Sequence, residues 1–337
     1  MSAPIRVGLL GAGRIGRLHA RLLAREVPGL RLSAVYDVNS DAAAAVSREL
    51  GVGVARSAEE LLTSTETDAV AICTSTDTHV NLLVAAAESG KPAFLEKPVS
   101  LDLAELDRGI AAAERAGLFV QVGFNRRFDP AHASVQQAAA AGEIGELHLL
   151  RISSRDPAPP PLAYIRVSGG IFLDMTVHDL DLARFVTGAE VEEVFARGEV
   201  RIDPEIAEAG DLDTAVVVLR HANRVLTVID NSRRAVYGFD QRVEAFGSAG
   251  MAASHNPLAH TGTVTTAAGT RTPPLASSFV ERYTPSYLGE WSAFERAVRT
   301  GDPPPVTLRD GRAALVLGLA AWRSVREDRP VAPAEIG

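Results

Sequence analysis

The sequence predicts an α/β protein in two parts: a doubly wound parallel sheet over residues 1–124, then an α+β domain over residues 125–337. Three observations predict it. A glycine-rich turn separates an apolar strand from a helical run near the amino terminus. Short apolar runs then alternate with helical patterns as far as Phe124. Beyond Gly188, strand patterns follow one another with no helix between them.

Ile5–Leu10 is an apolar strand, and Gly11-Ala12-Gly13-Arg14-Ile15-Gly16 follows it directly, with Leu18, Leu22 and Leu23 at helical spacing behind. The second strand, residues 30–37, ends on Asp37, about 20 positions beyond the last glycine, the distance at which an acid meets a ribose. Gly-x-Gly-x-x-Gly is a weak pattern alone. Strand, turn, helix and distal acid together are the context of a dinucleotide-binding Rossmann domain. Gly11 makes the tight turn, Gly13 admits the pyrophosphate at a helix N-terminus, and Gly16 permits close helix–strand packing. Asp37 favours NAD over NADP, because a carboxylate accepts ribose hydroxyls and repels a 2′-phosphate.

Ser40–Leu50 reads as a helix stopped by Gly51, and Ser57 caps a short helix through Leu62. Residues 68–74 read as a buried strand, 75–79 as a polar loop and 80–89 as a helix. Ala93–Glu96 is the next strand, ending at Glu96-Lys97-Pro98, and a helix over 102–116 leads to a strand over 118–124. Ligands bind beyond the carboxyl ends of such strands. Gly11 to Gly16, Asp37, Thr74, Ser75, His79, Glu96 and Lys97 are therefore expected to line one cofactor crevice.

In the second part, residues 125–130 read as a charged turn, 131–141 as a helix and 146–153 as a strand, and the prolines of 155–161 exclude a central strand. A helix is expected from Gly169-Gly170 through Val186. Strands follow over 191–201, 213–221 and 224–231, the last two a hairpin at Ala222-Asn223, then over 241–247 and near Val264. Helices over 286–299 and 308–326, separated by Pro303-Pro304-Pro305, close the chain.

Composition narrows the function. The chain is 46% hydrophobic and 23% charged, as ordinary globular proteins are. With 42 acidic against 34 basic residues the net charge is −8 and there is no basic block, which argues against nucleic acid. No signal peptide is expected, since the amino terminus lacks a basic n-region and a cleavage site. The longest uncharged apolar stretch, residues 313–322, is too short for a membrane span. The single cysteine, Cys73, excludes an intrachain disulfide and fits a cytoplasmic location.

Two features point to chemistry. In the expected helix after Gly170, Asp174, His178 and Asp181 stand at i, i+4 and i+7 on one face of an otherwise apolar run. Buried charges are costly unless paired, so these groups are expected to meet a cation, a substrate or one another. The second feature is lysine usage. All but two of the 34 basic residues are arginine, and the exceptions are Lys91 and Lys97. Lysine retained at position 97 suggests a site that needs a compact ammonium.

Five separated segments carry a resemblance over almost the whole chain, in order: Gly11 to Gly16; Glu96-Lys97-Pro98; Gly123-Phe124-Asn125-Arg126-Arg127; Gly169-Gly170 with Asp174-Met175 and His178-Asp179-Leu180-Asp181; and Tyr237-Gly238-Phe239-Asp240-Gln241-Arg242. Together they resemble the Gfo/Idh/MocA oxidoreductases. Ser154-Arg155-Asp156-Pro157 and the last segment are most similar to the inositol 2-dehydrogenases among them. The resemblance implies a Rossmann domain joined to an open-faced α+β domain, often a homotetramer through that sheet. It also implies a catalytic triad of Lys97, Asp174 and His178, and NAD-dependent oxidation of a cyclic polyol, above all myo-inositol to scyllo-inosose. Another inositol stereoisomer or a pyranose sugar is the alternative. Phe239 stands where some inositol-acting relatives have a second tyrosine.

Oxidising a secondary alcohol needs a base for the hydroxyl proton and a hydride acceptor in line. His178 is the candidate base, Asp174 its electrostatic partner and Lys97 a donor to the substrate oxygen. Ring hydroxyls need further polar partners, and Asn125, Arg127, Asp156, Asp181, Tyr237 and Gln241 are the candidates. Two rivals come from other classes. An NAD-binding sensor would need no lysine–histidine pair. A metal-dependent isomerase would use Asp174, His178 and Asp181 as ligands, against which the dinucleotide fold and the Lys97 ammonium argue, so no metal is expected.

Overall fold

The computed structural model describes residues 3–337, which fall into two compact units: residues up to 125 with 286–315, and residues 126–285 with 316–337. In the first unit, β1 (Ile5–Leu10), β2 (Leu30–Tyr36), β3 (Gly53–Val54), β4 (Ala69–Ile72), β5 (Ala93–Glu96) and β6 (Val120–Gly123) form a parallel sheet in the order β3-β2-β1-β4-β5-β6. This is the strand order of a dinucleotide-binding fold. The crossovers are α1 (Arg14–Arg25), α2 (Ser40–Leu50), α3 (Ala58–Thr63), α4 (Thr76–Ser89) and α5 (Leu103–Ala116). Every residue of β4, β5 and β6 is buried, which is why these strands read as unbroken rather than alternating runs.

Local chemistry sets the helix ends. Asn39, Ser57 and Asp102 accept first-turn amides of α2, α3 and α5, and Gly51, Gly90 and Gly117 take left-handed conformations behind α2, α4 and α5. One expectation needs correction. α4 starts at Thr76 and not at Val80, because the polar residues 76–79 form its first turn, with Thr78 Oγ1 donating to Ser75 O at 2.8 Å.

The chain enters the second unit within the 3-10 turn Asn125–Phe128, followed by α6 (Pro130–Ala140), capped by Asp129. There follow β7 (Leu147–Arg155), α7 (Leu162–Ile165), α8 (Gly170–Asp174), α9 (Thr176–Thr187), β8 (Val191–Glu199), α10 (Pro204–Glu208), β9 (Thr214–His221), β10 (Leu226–Ser232), β11 (Asp240–Gly247) and β12 (Gly250–Ser254). The sheet order is β12-β11-β7-β10-β9-β8, and it is mixed because β10 runs parallel to β7 while its other pairings are antiparallel. Alternate residues such as Leu150, Ile152, Val217, Ile229 and Val243 are buried in one core with Ile171, Phe172, Leu180 and Leu317. On the other face Val216, Leu226 and Phe246 are 44–48% exposed, so the sheet is covered on one side only. β13 (Val264–Thr266) and β14 (Gly269–Arg271) form a small separate hairpin.

The expected single helix after Gly170 is two. It breaks at Met175 (φ −99°, ψ −60°), beside which Thr176 Oγ1 donates to Asn231 Oδ1 at 2.6 Å and lies 3.2 Å from Ile171 O. Asp174 therefore ends α8, while His178 and Asp181 lie on α9. Met175 keeps a right-handed conformation, so the i, i+4, i+7 spacing spans two helices separated by a single residue.

The closing helices are α11 (Phe279–Thr300) and α12 (Leu308–Glu327). Their stretch 286–315 packs in the first unit, with Trp291 and Phe294 on Phe94 at 4.4 and 6.4 Å between ring centroids and Val122 N donating to Val306 O at 3.0 Å. No described helix is long and apolar enough to cross a membrane.

Candidate active site

The glycines of the first turn divide by role. A Cβ on Gly11 (φ +99°) would stand 2.4 Å from Cys73 O and one on Gly16 would stand 2.0 Å from Gly11 O, whereas one on Gly13 would meet nothing within 4 Å. Gly11 and Gly16 are demanded by packing, and Gly13 leaves open space before the uncapped first turn of α1. Asp37 accepts Ala12 N at 2.6 Å and Asn39 N at 2.7 Å, one on each oxygen, and a carboxylate so held still has lone pairs for a ligand. Val38 beside it is 92% exposed and brings no cation. A helix N-terminus without a side-chain cap and a fixed acid beyond the second strand suit a pyrophosphate and an unphosphorylated ribose.

Beyond β4, Thr74 Oγ1 bonds Thr78 Oγ1 at 2.6 Å, and Ser75 is exposed. His79 lies differently. It is buried, with Nδ1 2.9 Å from Pro98 O and Nε2 3.1 Å from Thr74 O. Burial lowers its pKa more than the two carbonyls raise it. His79 thus ties the end of β4 to the loop that carries Lys97 and offers no ring nitrogen to solvent.

Lys97 is half-buried just past β5. Its N–H donates to Glu96 Oε2 at 3.0 Å, His19 Nε2 meets Glu96 Oε1 at 2.7 Å, and Trp291 Nε1 donates to His19 Nδ1 at 2.9 Å. The other lysine is just as specific: Lys91 Nζ donates to Ser64 O at 2.9 Å and to Thr67 O, and burial lowers its pKa. Two carbonyls converging on one point suit an ammonium better than a planar guanidinium.

In the second unit, Asp174 is held from both sides. Tyr164 Oη donates to its Oδ1 at 2.8 Å, and Arg233 Nη1 lies 3.3 Å from Oδ2. Arg233 is fully buried and its Nη2 donates to Asp211 Oδ2 at 3.1 Å, while Asp211 Oδ1 accepts Ile171 N at 2.8 Å and so anchors the start of α8. Burial pushes the Asp156 carboxyl up to about 6, with Arg126 and Arg233 opposing and Asp174 and Asp179 reinforcing the shift. His178 is half-buried on α9.

The remaining expected residues separate. Gln241 Oε1 accepts Ser154 Oγ at 2.6 Å, and its buried Nε2 has no protein partner, as is also true of Asn125 Nδ2 in its own unit. Arg127 and Asp181 face each other, with Nε donating to Oδ2 at 2.8 Å. Tyr237 is half-exposed and donates to Asp240 Oδ2 at 2.8 Å. Sequence reasoning missed Tyr164, Asp211 and Arg233, which belong to no pattern, and gave no role to Arg126 and Asp179, which form an internal ion pair. It also passed over His19 and Glu290, although a charged or ionisable residue inside a helical apolar stripe was a signal that could have flagged them.

Residues 5–124 match the oxidoreductase family with an NAD-binding Rossmann fold, and residues 132–253 match the GFO/IDH/MocA C-terminal domain. The chain belongs to the GFO/IDH/MocA family. A myo-inositol 2-dehydrogenase from Thermotoga maritima is 49% identical to it over 333 residues, 98% of this chain and 99% of that protein. Among solved structures, it is similar to a myo-inositol dehydrogenase from Corynebacterium glutamicum (TM-score 0.92, 40% identity, 98% of each chain). A scyllo-inositol dehydrogenase from Lactobacillus casei, solved with NAD(H) and scyllo-inositol, has TM-score 0.92 at 29% identity, covering 98% of this chain and 99% of that one. This GFO/IDH/MocA protein is an oxidoreductase with NAD as its cofactor, and the Gly11 to Gly16 turn with Asp37 is a cradle that fits it.

Proposed function

We propose that the protein oxidises myo-inositol at one secondary hydroxyl to scyllo-inosose, with NAD supplying the hydride acceptor when bound. The observation that carries this reading is the full-length 49% identity to a myo-inositol 2-dehydrogenase, with Lys97, Asp174 and His178 at the positions that the family resemblance assigns to catalysis. His178 takes the hydroxyl proton. Asp174, oriented by Tyr164 and Arg233, stabilises the imidazolium. Lys97 donates to the substrate oxygen and favours the developing alkoxide.

The spare amide donors of Asn125 and Gln241 are the best-suited partners for ring hydroxyls, since buried polar groups that lack a protein partner call for one, and the half-buried acid of Asp156 is a further candidate. Arg127 and Asp181 brace each other, and Tyr237 is tied to Asp240. In this reading the first unit binds NAD, the second takes the substrate, and the open sheet face of the second joins copies into a cytoplasmic homotetramer. The exposed Val216, Leu226 and Phe246 support that use of the face. A second reading, oxidation of scyllo-inositol, is favoured by the likeness to the Lactobacillus casei enzyme. Phe239 is buried with its ring 5.9 Å from that of Tyr283, and it brings no hydroxyl to either substrate.

The test is a panel of inositol stereoisomers and aldoses with NAD or NADP, followed by NADH absorbance. The highest kcat/KM is expected for myo-inositol with NAD. Preference for scyllo-inositol would select the second reading, and no turnover with any polyol would leave an NAD-binding sensor instead.

A further inference from the structure

We propose that His19 is a positioning residue for Lys97, acting through the Glu96 carboxylate. The inference rests on Lys97 donating to the substrate oxygen as described above. The chain of contacts has a fixed polarity. An indole N–H can only donate, so the 2.9 Å contact from Trp291 requires a lone pair on His19 Nδ1. The ring proton is then on Nε2, which donates to Glu96 Oε1 at 2.7 Å. Glu96 Oε2 in turn accepts the N–H of Lys97 at 3.0 Å.

His19 and Trp291 have no exposure and Glu96 has 5%, so water cannot replace either donor on the carboxylate. The His19 ring is also wedged between Phe94 and Tyr287, at 5.1 and 5.5 Å between centroids, which prevents it from turning to another partner. Losing the imidazole donor would leave Oε1 unsatisfied in the interior. That costs more than the bond itself contributes, and the carboxylate would swing away from the Lys97 peptide to find another donor. Beyond Lys97 the loop is pinned independently, by His79 against Pro98 O. The displacement therefore falls on Lys97. A misplacement of about 1 Å in a catalytic group is enough to lower a rate on the order of 100-fold.

Two substitutions separate this role from simple packing. His19→Asn keeps an acceptor near Trp291 but carries no donor as far as Glu96, while His19→Gln carries an amide N–H to the Nε2 position. Both remove the ring. With the full-length enzyme and its best polyol, His19→Asn is expected to lower kcat by about 30–100-fold, with KM and the NADH dissociation constant each within about threefold of wild type. The deuterium isotope effect at the oxidised carbon should rise. His19→Gln is expected to recover at least about tenfold of that loss. Equal losses in the two variants, or a loss under about threefold in His19→Asn, would overturn the proposal. Should His19→Asn not fold, Glu96→Gln carries the test, because an amide has a single acceptor oxygen and cannot take both the His19 and the Lys97 N–H: a lower kcat at unchanged KM supports the relay, and an unchanged kcat refutes it. Lys97→Met is measured alongside. If it keeps near-normal activity, the reading of Lys97 fails and the relay with it; if it is inactive while His19→Asn is not, only the relay fails.

Discussion

Replacing Glu290 by glutamine is expected to stabilise the protein, and by more at each step up in pH. The Glu290 side chain is fully buried, neither carboxyl oxygen has a protein partner, and the nearby Gln121 Nε2 donates instead to the Glu290 backbone carbonyl at 3.0 Å. Burial, reinforced by the nearby Glu96, pushes its pKa well above the usual carboxyl range. A carboxyl raised in the native state holds a proton that the unfolded chain releases. Its contribution to stability is complete below the unfolded value and is lost as pH climbs toward the native one. The slope in that window is about 1.4 kcal/mol per pH unit. Glutamine has nearly the shape of the protonated acid and does not titrate, so the slope disappears in the variant. Each pH unit inside that window should widen the gap by about 1.4 kcal/mol, roughly 3–6 °C in Tm for a unit of this size. Thermal melts of both proteins at unit steps from about pH 5 to 8 measure it, with near-coincidence at the acid end. Parallel profiles would refute the reasoning, because Glu290 would then be ionised in the native state.

Three further outcomes follow from the sites described. His178→Ala is expected to lower kcat by roughly 10²–10⁴ with NADH binding nearly unchanged by fluorescence titration, and a loss under about fivefold would remove it as the base. Lys97→Arg is expected to fail nearly as badly as Lys97→Met, since a forked guanidinium cannot stand in for a point donor; near-normal turnover in the arginine variant would contradict that. Asp37→Ser with Val38→Arg should move kcat/KM from NAD toward NADP by at least about tenfold, because it removes a carboxylate that would face the 2′-phosphate and adds a cation at an exposed position. An unmoved ratio would take Asp37 away from the ribose.

Much of the cofactor unit was determined by the sequence alone, because its signals are local. Glycines that must tolerate a positive φ or a close backbone, apolar runs buried on both faces, and side-chain caps at helix starts all act within a few residues. Gly11, Gly16, Asp37 and the parallel strands could therefore be read directly. The scarcity of lysine also marked Lys97, and Lys91 turned out to sit where two carbonyls converge. Periodicity did not show the one-residue interruption at Met175, beside which the Thr176 hydroxyl reaches Asn231, distant in sequence. Only the tertiary structure decided that residues 286–315 pack with the first unit, that Arg233 bridges Asp174 and Asp211, and that Trp291 sets the tautomer of His19 from 272 residues away. Those pairings arise because a buried donor or charge must find its partner wherever the fold places one, and neither spacing nor composition records that place.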